Sequence, residues 1–392
     1  MIIDVIGIGA EGLSSLSPAA RSALSTAEVV LGSPRQLALV DAPTTRPWPS
    51  PLVPALPGII AELSGKRVAV LASGDPLFHG IASTLRREVP EAQLRIYPAV
   101  SSFALACARL GWAHQETDHT SLVTGEVDAI GVLVDQARPF LVLGRNRSSA
   151  AQVCDYLDAR GLGEATVTVL ADLGSDAECI TTGTAAQPPA LNSDLAVIAV
   201  EPPARAGRSL APGLSDHHYE NDGQLTKQDI RALTVCALAP VPGELLWDIG
   251  GGSGSISIEW LRLDPRNRAR VFESHPERVQ RIAANARALG VPQLKISGAA
   301  PEALLRSDSP DCIFIGGGLT HEGVWEAAWE ALRPGGRLVA NAVTAESVEK
   351  LWQLKQRYGG CLRRIAIENE TTIGSFTAYK PAYPVWQWRI HK

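Results

Sequence analysis

Short apolar runs alternate with stretches of helical period along most of the chain, the pattern of layered α/β structure. In the first half IIDVIGIG, RVAVLAS, PFLVLG, ATVTVLA and DLAVIAVE predict strands. Between them Ser17 and Pro18 open a helix, serine as N-cap and proline at the first helical position. Ser101 and Ser102 cap another, FALACARLG, which stops at Gly111. The second half restarts with a helix around Lys227 to Leu238. Strands follow at ELLWDIG, ARVFE, LKISG, DCIFIGG and GRLVANAV. The tail segments RRIAIEN and GSFTAYK predict antiparallel edge strands. The stretch PPARAGRSLAPG, Pro202 to Gly213, breaks the pattern, with Leu210 its only large apolar residue. It reads as a linker between two halves.

Two glycine loops stand out. Gly7, Gly9 and Gly12 match GxGxxG, a weak signal by itself. A dinucleotide site needs a helix starting at the loop and an acidic residue ending the next strand. Here Leu13 to Leu16 intervene, and the strand EVVLGSP ends on Gly32, with Glu28 at its wrong end. The later loop, WDIGGGSGSISIEW, meets both conditions. Gly250, Gly252 and Gly254 follow Asp248, and the helix SISIEWLRL begins at once. The next strand ends on Glu273, about twenty residues on, where a carboxylate accepts ribose hydroxyls. A carboxylate before the loop repels a pyrophosphate but suits an ammonium group. The reading is an amino-acid nucleoside such as S-adenosylmethionine, held by Gly250, Gly251, Gly252, Ser253, Gly254 and Glu273.

Length and charge narrow the picture. The chain has 392 residues, too many for one core, so two domains are expected. A net charge of −5 argues against a nucleic-acid surface, which needs a concentrated basic face. The six cysteines contain no CxxC pair and read as buried free thiols in a reducing compartment, not metal ligands or disulfides. The opening MIIDVIGIG enters a strand directly and predicts no secretion signal. No apolar run is long enough for a bilayer, so the cytoplasm is the expected compartment.

The motifs resemble known families. GLSDHHYENDGQLTK, DIGGGSGSISIE, the GAAPEAL run from Gly298 and LRPGGRLV resemble the cobalamin-pathway domain that methylates and decarboxylates precorrins. GIGAEGLSSLSPAA, LASGDPLFHGI and YPAVSSF resemble the tetrapyrrole methylase family. Their order is that of the fused precorrin-6Y C(5,15)-methyltransferase family. The resemblance implies an α/β chain of two methyltransferase folds. Residues 1–203 would form a two-subdomain tetrapyrrole methylase (class III) domain, 204–212 a linker, and 213–392 a Rossmann-like class I domain. It implies two S-adenosylmethionine sites per chain. In the first, Gly74, Asp75, Pro76, Leu77, Ser101 and Ser102 would contact the donor, and the loop around Gly9 would face substrate. In the second it adds Thr226 and Ala300. Gly251 stands where relatives often have cysteine, and Ala299 where they often have an acidic residue.

Methyl transfer from a sulfonium needs positioning more than side-chain chemistry. No catalytic side chain is identifiable, including the acid for decarboxylation. Gly316, Gly317 and Gly318 follow strand DCIFI at a carboxyl end, where α/β sheets place ligands; they read as space for a macrocycle or as a plain loop. His79 reads as packing or hydrogen-bonding. His217 and His218 would point apart in a strand. Arginines in LRLDPRNRAR, Arg145 and Arg147 read either as carboxylate grips or as solvated ends. The leading function is a bifunctional corrin-ring methyltransferase with a tetrapyrrole substrate, in a form compatible with a homo-oligomer. The alternatives are an RNA methyltransferase, or a corrinoid-intermediate carrier with one inactive domain.

Overall fold

The predicted run IIDVIGIG becomes β1 (Ile2–Ile8), next to the edge of a parallel sheet. The computed structural model describes residues 1–190 and 193–392. β2 (Val29–Gly32), β3 (Thr45–Pro47), β4 (Val68–Ser73) and β5 (Gln93–Tyr97) complete the sheet in the order β3-β2-β4-β1-β5. Alternate residues feed two apolar layers. Ile3, Val5, Val68 and Val70 pack on one side with Leu56 and Leu85. Ile6, Ile8, Ala69 and Leu71 pack on the other with Leu16 and Leu24. Covering both faces is what a parallel sheet requires. Ser17 caps the helix Pro18–Thr26 by accepting the Ala20 N–H at 3.2 Å, as expected. A 3₁₀ turn, Gly12–Ser15, separates that helix from the first glycine loop.

A second sheet follows, in the order β6-β7-β10-β8-β9. It is built from β6 (Asp118–Ser121), β7 (Phe140–Leu143), β8 (Thr166–Ala171), β9 (Cys179–Thr184) and β10 (Ala196–Glu201). The sequence pattern omits β3, β5, β6 and β9. β6 reads DHTS and β9 CITTGT, so neither carries the apolar run that marks a covered strand. The helix Ser102–Leu110, capped by Ser101 and closed by left-handed Gly111, packs Phe103, Ala106 and Cys107 against this sheet.

The chain divides into two compact units. One is Met1–Val127 with Arg138–Pro203, the other Asp128–Ala137 with Ala204–Lys392. The second unit holds β11 (Leu245–Ile249), β12 (Arg268–Phe272), β13 (Lys295–Ser297), β14 (Cys312–Ile315), β15 (Arg337–Ala342), β16 (Cys361–Ile365), β17 (Glu368–Ile373), β18 (Phe376–Pro381) and β19 (Val385–His391). Its main sheet runs β13-β12-β11-β14-β15-β19-β16, parallel through β15, with β19 and β16 antiparallel. The tail supplies the expected antiparallel edge strand as β16, and its remainder pairs apart from the main sheet. RRIAIEN divides between β16 and β17, and β18 pairs only with β17 as a separate hairpin. The unforeseen β19 lies inside the main sheet, where Trp388 and Ile390 reach the core. The residues read as a linker are anchored: the Arg208 N–H donates to Asp135 O at 2.8 Å, and its guanidinium pairs with the Asp135 carboxylate.

Candidate functional site

In the second unit three strand ends meet. The loop Gly250–Gly254 joins β11 to the helix Ser255–Leu263. Gly250, Gly252 and Gly254 have φ of 77°, 58° and 76°, so the alternate glycines serve alternate left-handed positions. The loop after β14 closes on this one, with the Gly316 N–H donating to Ile249 O at 2.9 Å. A Cβ on Gly250 would fall 2.7 Å from Gly317 Cα. Gly316, Gly317 and Gly318 thus border the cradle where strand order reverses, between β11 and β14. Glu273 follows β12 and is 6% exposed. Its carboxylate accepts N–H groups from Gly252 (3.0 Å), Ser274 (2.8 Å) and His275 (3.0 Å). Oε1 takes the Ser274 and His275 groups and Oε2 the Gly252 group, which leaves Oε2 a lone pair for a ligand hydroxyl. Ala300 follows β13, the strand next to β12, on the same edge of the sheet.

Asp248 lies one residue before the strand end and is 1% exposed. Oδ2 accepts the Ser257 hydroxyl at 2.8 Å, while Oδ1 has no partner among the described residues. Burial pushes this carboxyl up to about 7 against those hydrogen bonds, with the nearby Glu273 charge adding to the rise. A cradle without Cβ atoms, a carboxylate at the neighbouring strand end and a buried orphan acceptor fit an amino-acid nucleoside. Gly251 is tighter than the sequence suggests: a Cβ there would meet Val271 Cγ1 at 2.1 Å, so cysteine would need a different residue 271.

A strap from Gly213 to Lys227 crosses this loop. Gln224 O lies 3.0 Å from where a Gly252 Cβ would sit. Thr226 is part of the strap, and its carbonyl accepts from Arg231 Nη1. Glu259 anchors the strap's start by accepting from Gly213 N, Leu214 N, the Tyr219 hydroxyl and Arg231 Nε. Asn285 ties its middle down, bonding both backbone groups of Glu220 and the Ser253 carbonyl. Sequence reading missed Glu259, Arg231 and Asn285. A signal was present: Glu259 interrupts the apolar helix SISIEWLRL at a buried position.

In the first unit the three family motifs converge. A Cβ on Gly7 would fall 2.2 Å from Gly74 O and 2.7 Å from Ala99 N. A Cβ on Gly74, at φ 61°, would fall 3.0 Å from Val100 O and 3.1 Å from Ser101 Cα. The loop Gly74–Leu77 and the Ser101–Ser102 turn therefore adjoin the end of β1. Asp75 accepts the Leu77 N–H at 2.8 Å and so fixes its own turn. Pro76 is buried and Leu77 exposed. Gly9 lies apart from the Gly74 loop's hydrogen bonds, its N–H donating to Ser15 Oγ.

Other candidates are structural. Arg145 donates to the Leu122 and Gly125 carbonyls, Arg147 pairs with Asp194, and Arg262 with Asp135. Arg266 pairs with Asp264. His217 and His218 lie in a 3₁₀ turn rather than a strand, so their rings touch, with centroids 4.0 Å apart. Cys107, Cys154 and Cys312 are buried, but Cys179, Cys236 and Cys361 are exposed, a wider spread than expected. No group of three metal-ligating side chains occurs among the described residues. No described helix is long and apolar enough to cross a membrane.

Comparison with known proteins bears on the whole chain. Residues 3–189 match the family of tetrapyrrole (corrin/porphyrin) methylases, and residues 217–392 a precorrin methyltransferase domain. A precorrin-6Y C(5,15)-methyltransferase [decarboxylating] of a Sinorhizobium species is 44% identical over 98% of this chain and 95% of its own. One of the same name from Mycobacterium tuberculosis is 42% identical over the full length of both. The crystal structure of the C-terminal domain of a Rhodobacter capsulatus precorrin-6Y C5,15-methyltransferase is 42% identical. It covers 47% of this chain and 100% of that one, with a TM-score of 0.45.

Proposed function

The chain belongs to the precorrin-6Y C(5,15)-methyltransferase (decarboxylating) family, and we propose that it carries out both halves of that reaction on one polypeptide. It is an α/β enzyme with a tetrapyrrole methylase domain followed by a precorrin methyltransferase domain. Methyltransferases of this kind use S-adenosylmethionine. Its substrate here is precorrin-6Y, methylated at ring carbons 5 and 15 with loss of carbon dioxide from an acetate side chain. The first unit serves carbon 5, and the second serves carbon 15 and the decarboxylation. Each holds its own donor, and the enzyme works in the cytoplasm.

The observation that carries this reading is the second-unit cradle, with Glu273 and the free Oδ1 of Asp248 beside it. Bound S-adenosylmethionine supplies an activated methyl group. The loop Gly250–Gly254 lets the backbone approach the donor, Glu273 holds the ribose hydroxyls, and Asp248 faces its ammonium group. Thr226 and Ala300 flank it, and Gly316 to Gly318 leave room for the macrocycle. In the first unit, Gly74 to Leu77 with Ser101 and Ser102 hold the donor, and the loop at Gly9 faces substrate. Positioning accounts for most of the rate gain in such a site.

The test is mass analysis of the product from precorrin-6Y and labelled donor, with calorimetric titration by S-adenosylhomocysteine. The expected product has gained two methyl groups and lost one carbon dioxide, and two donor molecules bind per chain. Methyl transfer to RNA alone, or one silent donor site with no product, would replace this reading with one of the other two.

A further inference from the structure

The loop that holds Gly74 to Leu77 ends on Phe78 and His79, just before the helix Ile81–Glu88. His79 has a φ of 51°. Left-handed backbone is strained for any residue with a Cβ, and such strain gathers at functional sites. Glycine would be relaxed here, yet the chain carries an imidazole. That ring stands edge-on to His119 of β6, with centroids 5.5 Å apart and planes at 89°. His119 in turn packs 4.8 Å from both Phe78 and Phe103. Phe103 belongs to the helix that Ser101 caps. The cluster therefore joins the Gly74 loop to the Ser101 turn.

Both imidazoles are exposed, and neither has a hydrogen-bond partner among the described residues. Their nitrogens are thus free to accept a proton. The titratable groups around the pair are few. Asp118 neighbours His119 on β6, and His114 lies across Phe103, 4.8 Å from that ring. From the helix Ser102–Leu110 comes the buried Cys107 thiol, bonded to Thr117. From the loop comes Asp75, occupied by the Leu77 N–H. Lost hydration lowers the basicity of His79. The same cause acts on His119, with repulsion from a charged His79 added and Asp118 opposing. Both are neutral, proton-accepting bases at pH 7.

We propose that His79 is the catalytic proton acceptor for methyl transfer in the first unit, with His119 positioning its ring. This rests on the reading of that unit as a ring-carbon methyltransferase. The chemistry needs such a group. An electron pair of the ring carbon forms the new C–CH₃ bond as the S–CH₃ bond breaks, and the electrons of that bond stay on sulfur. The C–H bond at the same carbon then breaks, and its electrons return to the conjugated ring. The proton goes to the open nitrogen of His79. The positive charge of the sulfonium thus ends on the imidazolium, and S-adenosylhomocysteine leaves neutral at sulfur.

The test uses the full chain. Nuclear magnetic resonance titration of the histidine ring protons, without substrate, should place His79 below 6.5, and His119→Asn should move it back toward 6.5. The kcat for the carbon 5 methyl should rise with pH through the same value and then level. His79→Asn suits a left-handed backbone and should lower that kcat by about a hundredfold or more. It should erase the rising limb and leave both KM and S-adenosylhomocysteine affinity unchanged. His79→Gly should raise the melting temperature while losing the same activity. Variants that keep kcat and the pH limb overturn the proposal, as do variants that lose only KM or donor affinity. If the wild-type chain transfers no methyl to carbon 5, the reading of the first unit fails, and this proposal with it. Wild-type turnover with unaffected variants sinks the proposal alone.

Discussion

Both oxygens of Glu273 hold backbone N–H groups of the cradle and of its own turn. Glu273→Ala therefore removes the ribose acceptor and leaves three donors without their partner. Hydrogen bonds to a charged group contribute about 1.5–3 kcal/mol. Donor affinity in the second unit should fall on the order of tenfold to a hundredfold, read as one weakened site by calorimetry on the full chain. Asp248 gives a pH signature. Its folded carboxyl lies near 7, above the usual carboxylate range, so the folded state binds more protons than the unfolded one between those values. Its contribution to stability is complete at low pH and is lost as pH rises toward 7. Asp248→Asn lacks this loss. The melting temperature of the variant relative to wild type should climb from pH 4 to pH 7 and level above. A difference that stays constant with pH would show that Asp248 is charged in the fold throughout.

The strap Gly213–Lys227 is held at its start by a buried charge pair. Arg231 and Glu259 are 0% and 3% exposed. Their pairing satisfies two strap N–H groups and the Tyr219 hydroxyl, whose ionisation is pushed well above its usual range by burial and then by the Glu259 charge. Removing one partner of such a pair strands the other and costs roughly 3–5 kcal/mol. Glu259→Ala should show that loss in denaturant unfolding. It should also speed amide exchange from Gly213 to Tyr219 and weaken donor binding through Thr226. Exchange unchanged along the strap would mean that Asn285 and the ion pairs of Asp222 hold it without Glu259.

Residues 128–137 lie within the first half of the sequence, yet they belong to the second compact unit. Asp135 is 1% exposed, and its two oxygens pair with Arg208 and with Arg262, itself 3% exposed. A fragment of residues 204–392 would lack that carboxylate and leave a buried guanidinium without it. It should be less stable than the full chain by roughly the same 3–5 kcal/mol, and Asp135→Ala in the full chain should reproduce the loss. Equal stability of fragment and full chain, by denaturant midpoint, would show that residues 128–137 are dispensable to the second unit. The strands β1, β4, β11, β12, β14 and β15, the caps Ser17 and Ser101 and the glycine loop before Ser255 were all legible in the sequence. Each is encoded locally, by an apolar run, a capping hydroxyl or a glycine where backbone must turn left-handed. Both family matches were legible through motif order. The tertiary structure alone decided what depends on partners distant in sequence: β6 against β7, β19 between β15 and β16, and Glu259 beneath the strap. The same holds for His79 against His119 and Asp135 between two arginines. A strand or charge stabilised by a remote neighbour carries little of that stabilisation in its own residues, because pairing and desolvation arise only when the chain has closed around them.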